Sequence, residues 1–137
     1  MHNFGLYIQK GNHEIDMTSP FDERQLFCPT ETALGIIGGK WKGMILWCLC
    51  QRTMRFGELH RTIPGITQRM LTKQLRDLEH FDIITRKVYP VVPPKVEYSL
   101  SAHGQTLKPL LEQLEEWSEA YLKAKIRASN SKDDSLD

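Results

Sequence analysis

Pro64-Gly65 predicts a turn between two segments whose apolar residues recur at helical spacing. Before the turn, residues 57–62 predict a short helix. After it, Thr67 is a candidate N-cap for a longer helix that ends near His80, because a threonine hydroxyl can accept a hydrogen bond from a free backbone N–H. A short helix, a turn and a longer helix in this order are typical of a helix-turn-helix unit.

Two strands are predicted downstream of this unit, at residues 83–89 and 95–100. The second strand alternates between apolar and polar residues, which is typical of a strand with one buried face. Pro90, Pro93 and Pro94 lie between the strands and exclude a tight two-residue hairpin. We therefore expect a stiff, protruding loop between the two strands.

Two further helices and a short strand are predicted upstream. Cys28-Pro29 begins the first helix and Gly38-Gly39 ends it, since proline at the first helical position needs no partner for its nitrogen. Residues 40–51 predict a very apolar helix that is buried on nearly all sides, and residues 54–56 predict a short strand. The complete order predicts a winged helix-turn-helix, an α+β fold that is mostly helical.

A final helix, capped by Ser101, is predicted to carry one long apolar stripe. The stripe consists of Leu107, Leu110, Leu111, Leu114, Trp117 and Tyr121. It is longer than a small winged helix needs for its own core, so we expect part of it to form the interface of a two-fold homodimer. The predicted fold is therefore a winged helix-turn-helix with added N- and C-terminal dimerisation helices.

The length of 137 residues corresponds to one domain. Residues 1–20 have no sustained periodicity and are predicted to form an N-terminal extension. Residues 21–127 are predicted to form the winged helix-turn-helix domain with its dimerisation helices. Residues 128–137 are rich in Ser, Lys and Asp and are predicted to be a disordered tail.

Charge is distributed unevenly along the chain, although the net charge is only +1. Residues 55–96 carry eight Lys/Arg against four Asp/Glu, whereas residues 1–54 are neutral and residues 97–137 have a net charge of −3. A basic segment of this kind is typical of a phosphate-binding surface, although chance clustering of solvated charges gives the same count.

Within the basic segment, the helix after Thr67 has polar and basic residues opposite its apolar stripe. We expect this helix to lie in the major groove of double-stranded DNA and to present Thr67, Gln68, Arg69, Thr72, Lys73 and Arg76. Lys87 and Lys95, at the base of the proline-rich loop, are predicted to contact the DNA backbone or the minor groove. An ordinary amphipathic surface helix is the alternative interpretation.

Several short motifs follow one another in order. They are Cys28-Pro29, Gly38-Gly39-Lys40-Trp41, Arg55-Phe56-Gly57-Glu58-Leu59, Pro64-Gly65-Ile66, Met70-Leu71-Thr72, Leu75-Arg76-Asp77-Leu78-Glu79, Val88-Tyr89, Pro93-Pro94-Lys95-Val96-Glu97-Tyr98-Ser99-Leu100, Gly104 and Trp117. In these motifs, over roughly residues 28–117, the chain resembles the HxlR-type regulators, a branch of the MarR-like winged-helix proteins. The resemblance implies a homodimer that controls neighbouring genes. It would bind DNA through the Thr67 helix and through the wing, which is the two-stranded segment with the Pro93-Pro94 loop.

One position departs from the pattern of that family. Asp82 stands before the first wing strand, where the family usually has glycine. A helix C-terminus often needs a left-handed residue there, and aspartate tolerates this conformation less easily than glycine.

Cys28 is the one residue for which chemistry is predicted. As the N-cap of a helix that starts with Pro29, its sulfur would lie at the positive end of the helix dipole, where a thiolate is stabilised. The resemblance implies a redox or electrophile sensor at this position, and the alternative is a small capping residue or a sensor that has lost its function. Cys48 and Cys50 lie in an apolar segment and are expected to behave as small hydrophobic residues.

No enzyme is predicted, because the five histidines are scattered and no glycine-rich phosphate loop or metal-spaced cluster is present. We expect no cofactor, no metal and no membrane partner. Three cysteines without disulfide spacing, and apolar runs too short to span a bilayer, favour the cytoplasm.

The leading hypothesis is a dimeric, sequence-specific DNA-binding regulator with an inverted-repeat operator. Two alternatives are a winged-helix protein-interaction module without DNA binding and a thiol-dependent enzyme that uses Cys28. The first would not need Arg69, Lys73 and Arg76 together. The second lacks a general base at a recognisable spacing.

Overall fold

The computed structural model describes residues 27–134, and the predicted N-terminal extension lies outside the described residues. The elements, in chain order, are α1 (Pro29–Ile37), α2 (Lys42–Gln51), β1 (Met54–Arg55), α3 (Phe56–Thr62), α4 (Gln68–His80), β2 (Ile84–Tyr89), β3 (Lys95–Leu100) and α5 (Ala102–Asp134). This is the predicted order, and it confirms a mostly helical winged helix-turn-helix in which β2, β3 and their loop form the wing.

Side-chain caps set the start of the two helices that matter most here. The Thr67 hydroxyl oxygen accepts a hydrogen bond from Met70 N at 3.1 Å and begins α4. The Ser101 hydroxyl oxygen accepts one from Gly104 N at 3.0 Å and begins α5. Both caps satisfy a backbone donor that the helix itself leaves unpaired, so both predicted starts are confirmed.

The end of α4 is closed by the residue that replaces the usual glycine. Asp82 has a φ of 57°, the left-handed conformation expected at this position. Asp82 N donates to Glu79 O at 3.0 Å and Ile83 N donates to Leu78 O at 2.9 Å, the two hydrogen bonds of a Schellman motif. The Ser101 hydroxyl then donates to Asp82 O at 2.5 Å, which ties the start of α5 to the base of the wing.

The sheet is antiparallel with strand order β1-β3-β2. Its register pairs Arg86 with Tyr98 and Lys87 with Glu97. Because neighbouring residues of a strand point to opposite faces, Arg86 shares the inner face with buried Tyr98, whereas Lys87 and Glu97 share the outer face.

The core lies between α2, α3, α4 and the inner face of the sheet. Its most buried side chains are Ile45, Leu46, Leu59, Leu71, Leu75, Leu78 and Ile84. The prediction that α2 is buried on nearly all sides is wrong, since Met44 and Trp47 are 46% and 52% exposed. The reason is that no described residue covers the side of α2 that carries them.

The last helix, α5, extends well beyond the core. Leu107 and Leu111 pack against the core, but the later apolar residues are exposed. The 33-residue helix, about 50 Å long, continues to Asp134, whereas we predicted a disordered tail from residue 128. Alanine and long basic residues, which are good helix formers, occupy the turns just before residue 128, so the helix continues past that position.

No single helix within residues 27–134 is long and apolar enough to cross a membrane. Taken together, α1 and α2 meet that criterion on length and composition alone, with a bend of 78° between them.

Candidate nucleic-acid interface

The helix α4 turns one side wholly into the core. Leu71, Leu75 and Leu78 on that side are 0%, 1% and 0% exposed. Burial of three leucines fixes the rotation of the helix, since each contributes about 1.5–3 kcal/mol by leaving water. The opposite side is consequently held in solvent, and it exposes Arg69, Lys73 and Arg76.

The two predicted threonines on α4 are already engaged in the helix. Thr67 caps Met70 N, and the Thr72 hydroxyl donates to Gln68 O at 2.8 Å. Arg69 and Arg76, by contrast, form no ion pair with any carboxylate in the described part of the chain. The basic side chains, rather than the hydroxyls, therefore carry the binding capacity of this surface.

Asp77 partly neutralises the charge of Lys73, the remaining basic residue on the exposed side of α4. Its Oδ2 lies 3.8 Å from Lys73 Nζ and 3.5 Å from Lys42 Nζ. The Lys42 side chain is only 12% exposed, whereas that of Lys73 is 72% exposed. One carboxylate thus links the first residue of α2 to the exposed side of α4.

On the outer face of the wing, two lysines flank one tyrosine. Lys87 Nζ and Lys95 Nζ each lie 4.8 Å from the centre of the Tyr89 ring. Lys95 Nζ is also 2.9 Å from Glu97 Oε1, and the Tyr89 hydroxyl donates to Glu97 Oε2 at 3.0 Å.

The Glu97 carboxylate accepts hydrogen bonds from Lys95 and from Tyr89. Both hold the pKa of Glu97 below its usual range, and the one from Lys95 has the larger effect. Lys95 is therefore ion-paired within the wing, while Lys87 has no ion pair with any described carboxylate. Of the two predicted wing contacts, Lys87 has the more available charge.

Sequence reasoning missed Arg86. It lies on the inner face of β2, opposite Tyr98, and lines a groove together with Arg76 of α4. The alternation of β2 could have indicated the face on which Arg86 lies, because Ile84, Arg86 and Val88 share one face.

The three cysteines differ in their surroundings, and none is in a disulfide. Cys28 is the half-buried N-cap of α1, next to Pro29, and its sulfur makes no capping hydrogen bond. Burial raises the pKa of the Cys48 and Cys50 thiols, although Arg52 and Lys108 respectively oppose the rise. The two thiols in α2 are therefore poor sources of thiolate at neutral pH. Within residues 27–134 no group of three or more His, Cys, Asp or Glu side chains is arranged to hold a metal ion.

A second surface, which we call the apolar stripe, runs along α5 away from the core. It consists of Leu110, Leu114, Trp117 and Tyr121, which are 38%, 45%, 65% and 47% exposed. Trp117 and Tyr121 stack with ring centres 5.2 Å apart. Trp47 of α2 lines a pocket with Leu111 on the core side of α5. Four of the six predicted interface residues thus lie on an uncovered surface, while Leu107 and Leu111 belong to the core side.

A basic helix held outward by its own apolar side, beside a two-stranded wing, defines the winged helix-turn-helix class of transcriptional regulators. Residues 36–126 match the model of the family described as HxlR-like helix-turn-helix. The chain belongs to that family, which confirms the resemblance.

Relatives and solved structures agree with this assignment. The HTH-type transcriptional regulator YdeP of Bacillus subtilis (strain 168) is 54% identical over 94 residues, which are 69% of this chain and 73% of that protein. The redox regulator HypR in its oxidised form is 53% identical, with a TM-score of 0.65 over 68% of this chain and 96% of the other.

A structure from Enterococcus faecalis V583, described as a transcriptional regulator of the MarR family, is 38% identical, with a TM-score of 0.66 over 82% of this chain and 98% of that one. The protein is accordingly a transcriptional regulator of the helix-turn-helix type.

Proposed function

We propose that this regulator is a homodimer that binds an inverted-repeat operator in the cytoplasm, with α4 in the major groove. The observation that carries the proposal is the orientation of α4. Its leucines are fully buried, and its opposite side exposes Arg69, Lys73 and Arg76. A protein-interaction module would not need three cations on one side of that helix.

The contacts divide by their position along α4. Gln68 and Arg69 lie in the first turn, which is the end of a recognition helix that reads base edges in the major groove. The free N–H groups of the same turn favour a phosphate oxygen. Lys73 and Arg76 lie further along the helix and Lys87 on the wing, where cations suit the DNA backbone. Thr67 and Thr72 position the helix, and Lys95 positions the wing.

Paired removal of charge tests the DNA contact. In the double variant Lys73→Ala/Arg76→Ala, the slope of log K against log salt concentration should become shallower by about one unit for each phosphate that the variant no longer binds. The matched control, Lys123→Ala/Arg127→Ala on α5, removes the same charge from another exposed helix and should leave the slope unchanged. Equal effects of the two double variants would refute the placement of α4 in the groove.

The apolar stripe supports the homodimer. A contiguous exposed surface of leucine and aromatic side chains is typical of an interface, and a two-fold dimer places two copies of α4 on successive half-sites. Sedimentation equilibrium should therefore give twice the chain mass at micromolar concentration. A monomer under those conditions would refute the dimer.

Regulation through Cys28 is the second part of the proposal. It is supported by the position of the sulfur at the start of α1 and by the similarity to a protein described as a redox regulator. Because α1 has no fully buried residue, a group attached at its first turn can shift it. A dimer that reads two half-sites tolerates little change in their spacing.

A quinone tests this regulation. The Cys28 thiolate adds to a ring carbon and forms a C–S bond. One quinone oxygen takes a proton from water, the substituted carbon loses its own proton and the second oxygen gains one, which gives the hydroquinone thioether. Operator affinity of the wild type should change on treatment, and that of Cys28→Ser should not. Equal responses of both proteins would assign the reaction to another group.

A further inference from the structure

A groove separates α4 from the wing, and its rim carries two arginines. Its volume is about 340 Å³, and it is lined by the apolar or aromatic Phe56, Leu75 and Tyr98 and by the charged Arg76, Glu79 and Arg86. Arg76 comes from the last part of α4 and Arg86 from β2. Two elements that are separate in the sequence thus bring two guanidinium groups to one concave surface.

The sheet register explains why Arg86 is at this position. Ile84 pairs with Leu100, and both are buried, so β2 presents its even-numbered residues to the protein interior. Arg86, two pairs further along and opposite buried Tyr98, follows the same face, but its own side chain is exposed. A one-residue shift in register would turn Arg86 to the outer face beside Glu97.

The charges of the groove are unbalanced. Neither Arg76 nor Arg86 forms an ion pair with Glu79, or with any other carboxylate within residues 27–134. Two guanidinium groups and one carboxylate leave a net charge of +1 on the lining of the groove. Leu75 and Tyr98 on the same lining are buried, so apolar protein interior lies behind the two arginines and strengthens their attraction for an anion.

We propose that Arg86 contacts DNA, and that Arg76 and Arg86 together bind one backbone phosphate that enters the groove between α4 and the wing. This inference rests on the proposed function. A guanidinium group presents a planar fork of N–H donors that matches phosphate oxygens, and two of them can share one phosphate.

A phosphate, rather than a base, is the group that fits. Base edges are read by the first turns of a recognition helix, whereas Arg76 is the ninth of the 13 residues of α4. Glu79, one turn after Arg76, repels an anion and confines its approach to the side of the two arginines. The wing thereby contributes a cation of its inner face as well as Lys87 of its outer face.

The salt dependence of DNA binding tests this assignment. The probes are a duplex selected by the wild-type protein from a random-sequence pool and a scrambled duplex of equal length. Arg86→Gln should bind both duplexes several-fold more weakly and with an unchanged ratio, because a phosphate contact carries no sequence information. Arg86→Lys, which keeps the charge but lacks the planar fork, should recover part of the affinity.

The double variant Arg76→Gln/Arg86→Gln separates a shared phosphate from two independent ones. Because both protomers of the proposed homodimer carry the substitutions, a shared phosphate predicts a slope about two units shallower than that of the wild type, whereas independent phosphates predict about four units. Arg127→Gln on α5 is the matched control and should leave the slope unchanged. Circular dichroism checks that each variant is folded.

Four results would overturn the assignment. A slope shallower by about four units would exclude the shared phosphate, and relaxed sequence preference in Arg86→Gln would replace the phosphate by a base. If Arg86→Gln binds DNA with the same affinity and salt slope as the wild type, Arg86 does not contact DNA, and the proposed function remains intact. A wild-type protein that selects no duplex from the random-sequence pool would overturn the proposed function and this contact with it.

Discussion

The helices α4 and α5 are both amphipathic, but within residues 27–134 only α4 of the two has its apolar side covered. Leu75 and Leu78 of α4 are 1% and 0% exposed, whereas Trp117 and Ile126 of α5 are 65% and 59% exposed. The two helices also differ in what they offer to solvent. The exposed side of α4 carries cations, and that of α5 carries leucine and aromatic side chains.

This difference separates two kinds of partner. A basic surface attracts a polyanion, and an uncovered apolar surface gains free energy when a second apolar surface covers it. The two surfaces are connected through the base of the wing, since the Ser101 hydroxyl donates to Asp82 O and Ser101 N donates to Ile83 O at 2.9 Å. The proposed assembly through α5 would therefore determine where each protomer places α4 and the wing.

The largest effect is expected in the core side of α4. Leu75→Ala should lower the free energy of unfolding by roughly 2–5 kcal/mol, because it removes a buried side chain and leaves a cavity. Leu114→Ala makes the same change at a position that is 45% exposed, and it should cost far less within one protomer. Urea unfolding of both variants measures the difference. Equal losses of stability would show that α5 is as well covered as α4 and would remove the contrast between the helices.

A smaller effect is expected in the apolar stripe. Trp117→Ala should weaken dimerisation by about 2 kcal/mol, or roughly 30-fold in Kd, since a stacked aromatic residue at the centre of an interface contributes disproportionately. Its unfolding midpoint should depend less strongly on protein concentration than that of the wild type, because the variant unfolds to a larger extent from the monomer. Glu119→Ala, on the same helix but outside the stripe, is the control. An unchanged monomer–dimer equilibrium in Trp117→Ala would show that another surface forms the interface.

Local patterns in the sequence were sufficient for most of this architecture. Helical periodicity and a capping residue located α4, and alternation located β3, because both signals arise from which side of one element is buried. The left-handed conformation of Asp82 followed from its place after a helix. The interaction of Lys95 with Glu97 was also accessible, since residues two apart in a strand share a face.

The remaining features depend on how separate elements meet. The helix α2 is apolar on nearly all sides, so its periodicity could not indicate that Met44 and Trp47 are uncovered. The ion pair between Lys42 and Asp77 joins residues far apart in the sequence. The groove shared by Arg76 and Arg86 requires the relative placement of α4 and the sheet, which no local pattern contains.

The N-caps allow α4 and α5 to be compared under one substitution. Thr67→Ala and Ser101→Ala each remove a hydroxyl that accepts a backbone N–H, at a cost of about 1 kcal/mol. The cost should be greater for Ser101, because its hydroxyl also donates to Asp82 O at the base of the wing. Thermal unfolding measures both. A larger destabilisation in Thr67→Ala would show that the link between α5 and the wing contributes little.

The smallest effect concerns Asp77, the carboxylate that lies beside Lys73 of α4. Asp77→Asn should change the free energy of unfolding by at most about 1 kcal/mol, because the pair with Lys73 is exposed and only Lys42 is largely buried. DNA affinity should rise a few-fold, since Lys73 Nζ no longer has a carboxylate oxygen 3.8 Å away. Fluorescence anisotropy on the selected duplex measures the gain, and Glu119→Gln on α5 removes an equal charge at a distance. A similar gain in both variants would assign the effect to net charge, whereas a gain in Asp77→Asn alone would place it at Lys73. In that second case the ion pair between Lys73 and Asp77 lowers the DNA affinity of α4, whereas the apolar stripe of α5 contains no charged residue that could act in this way.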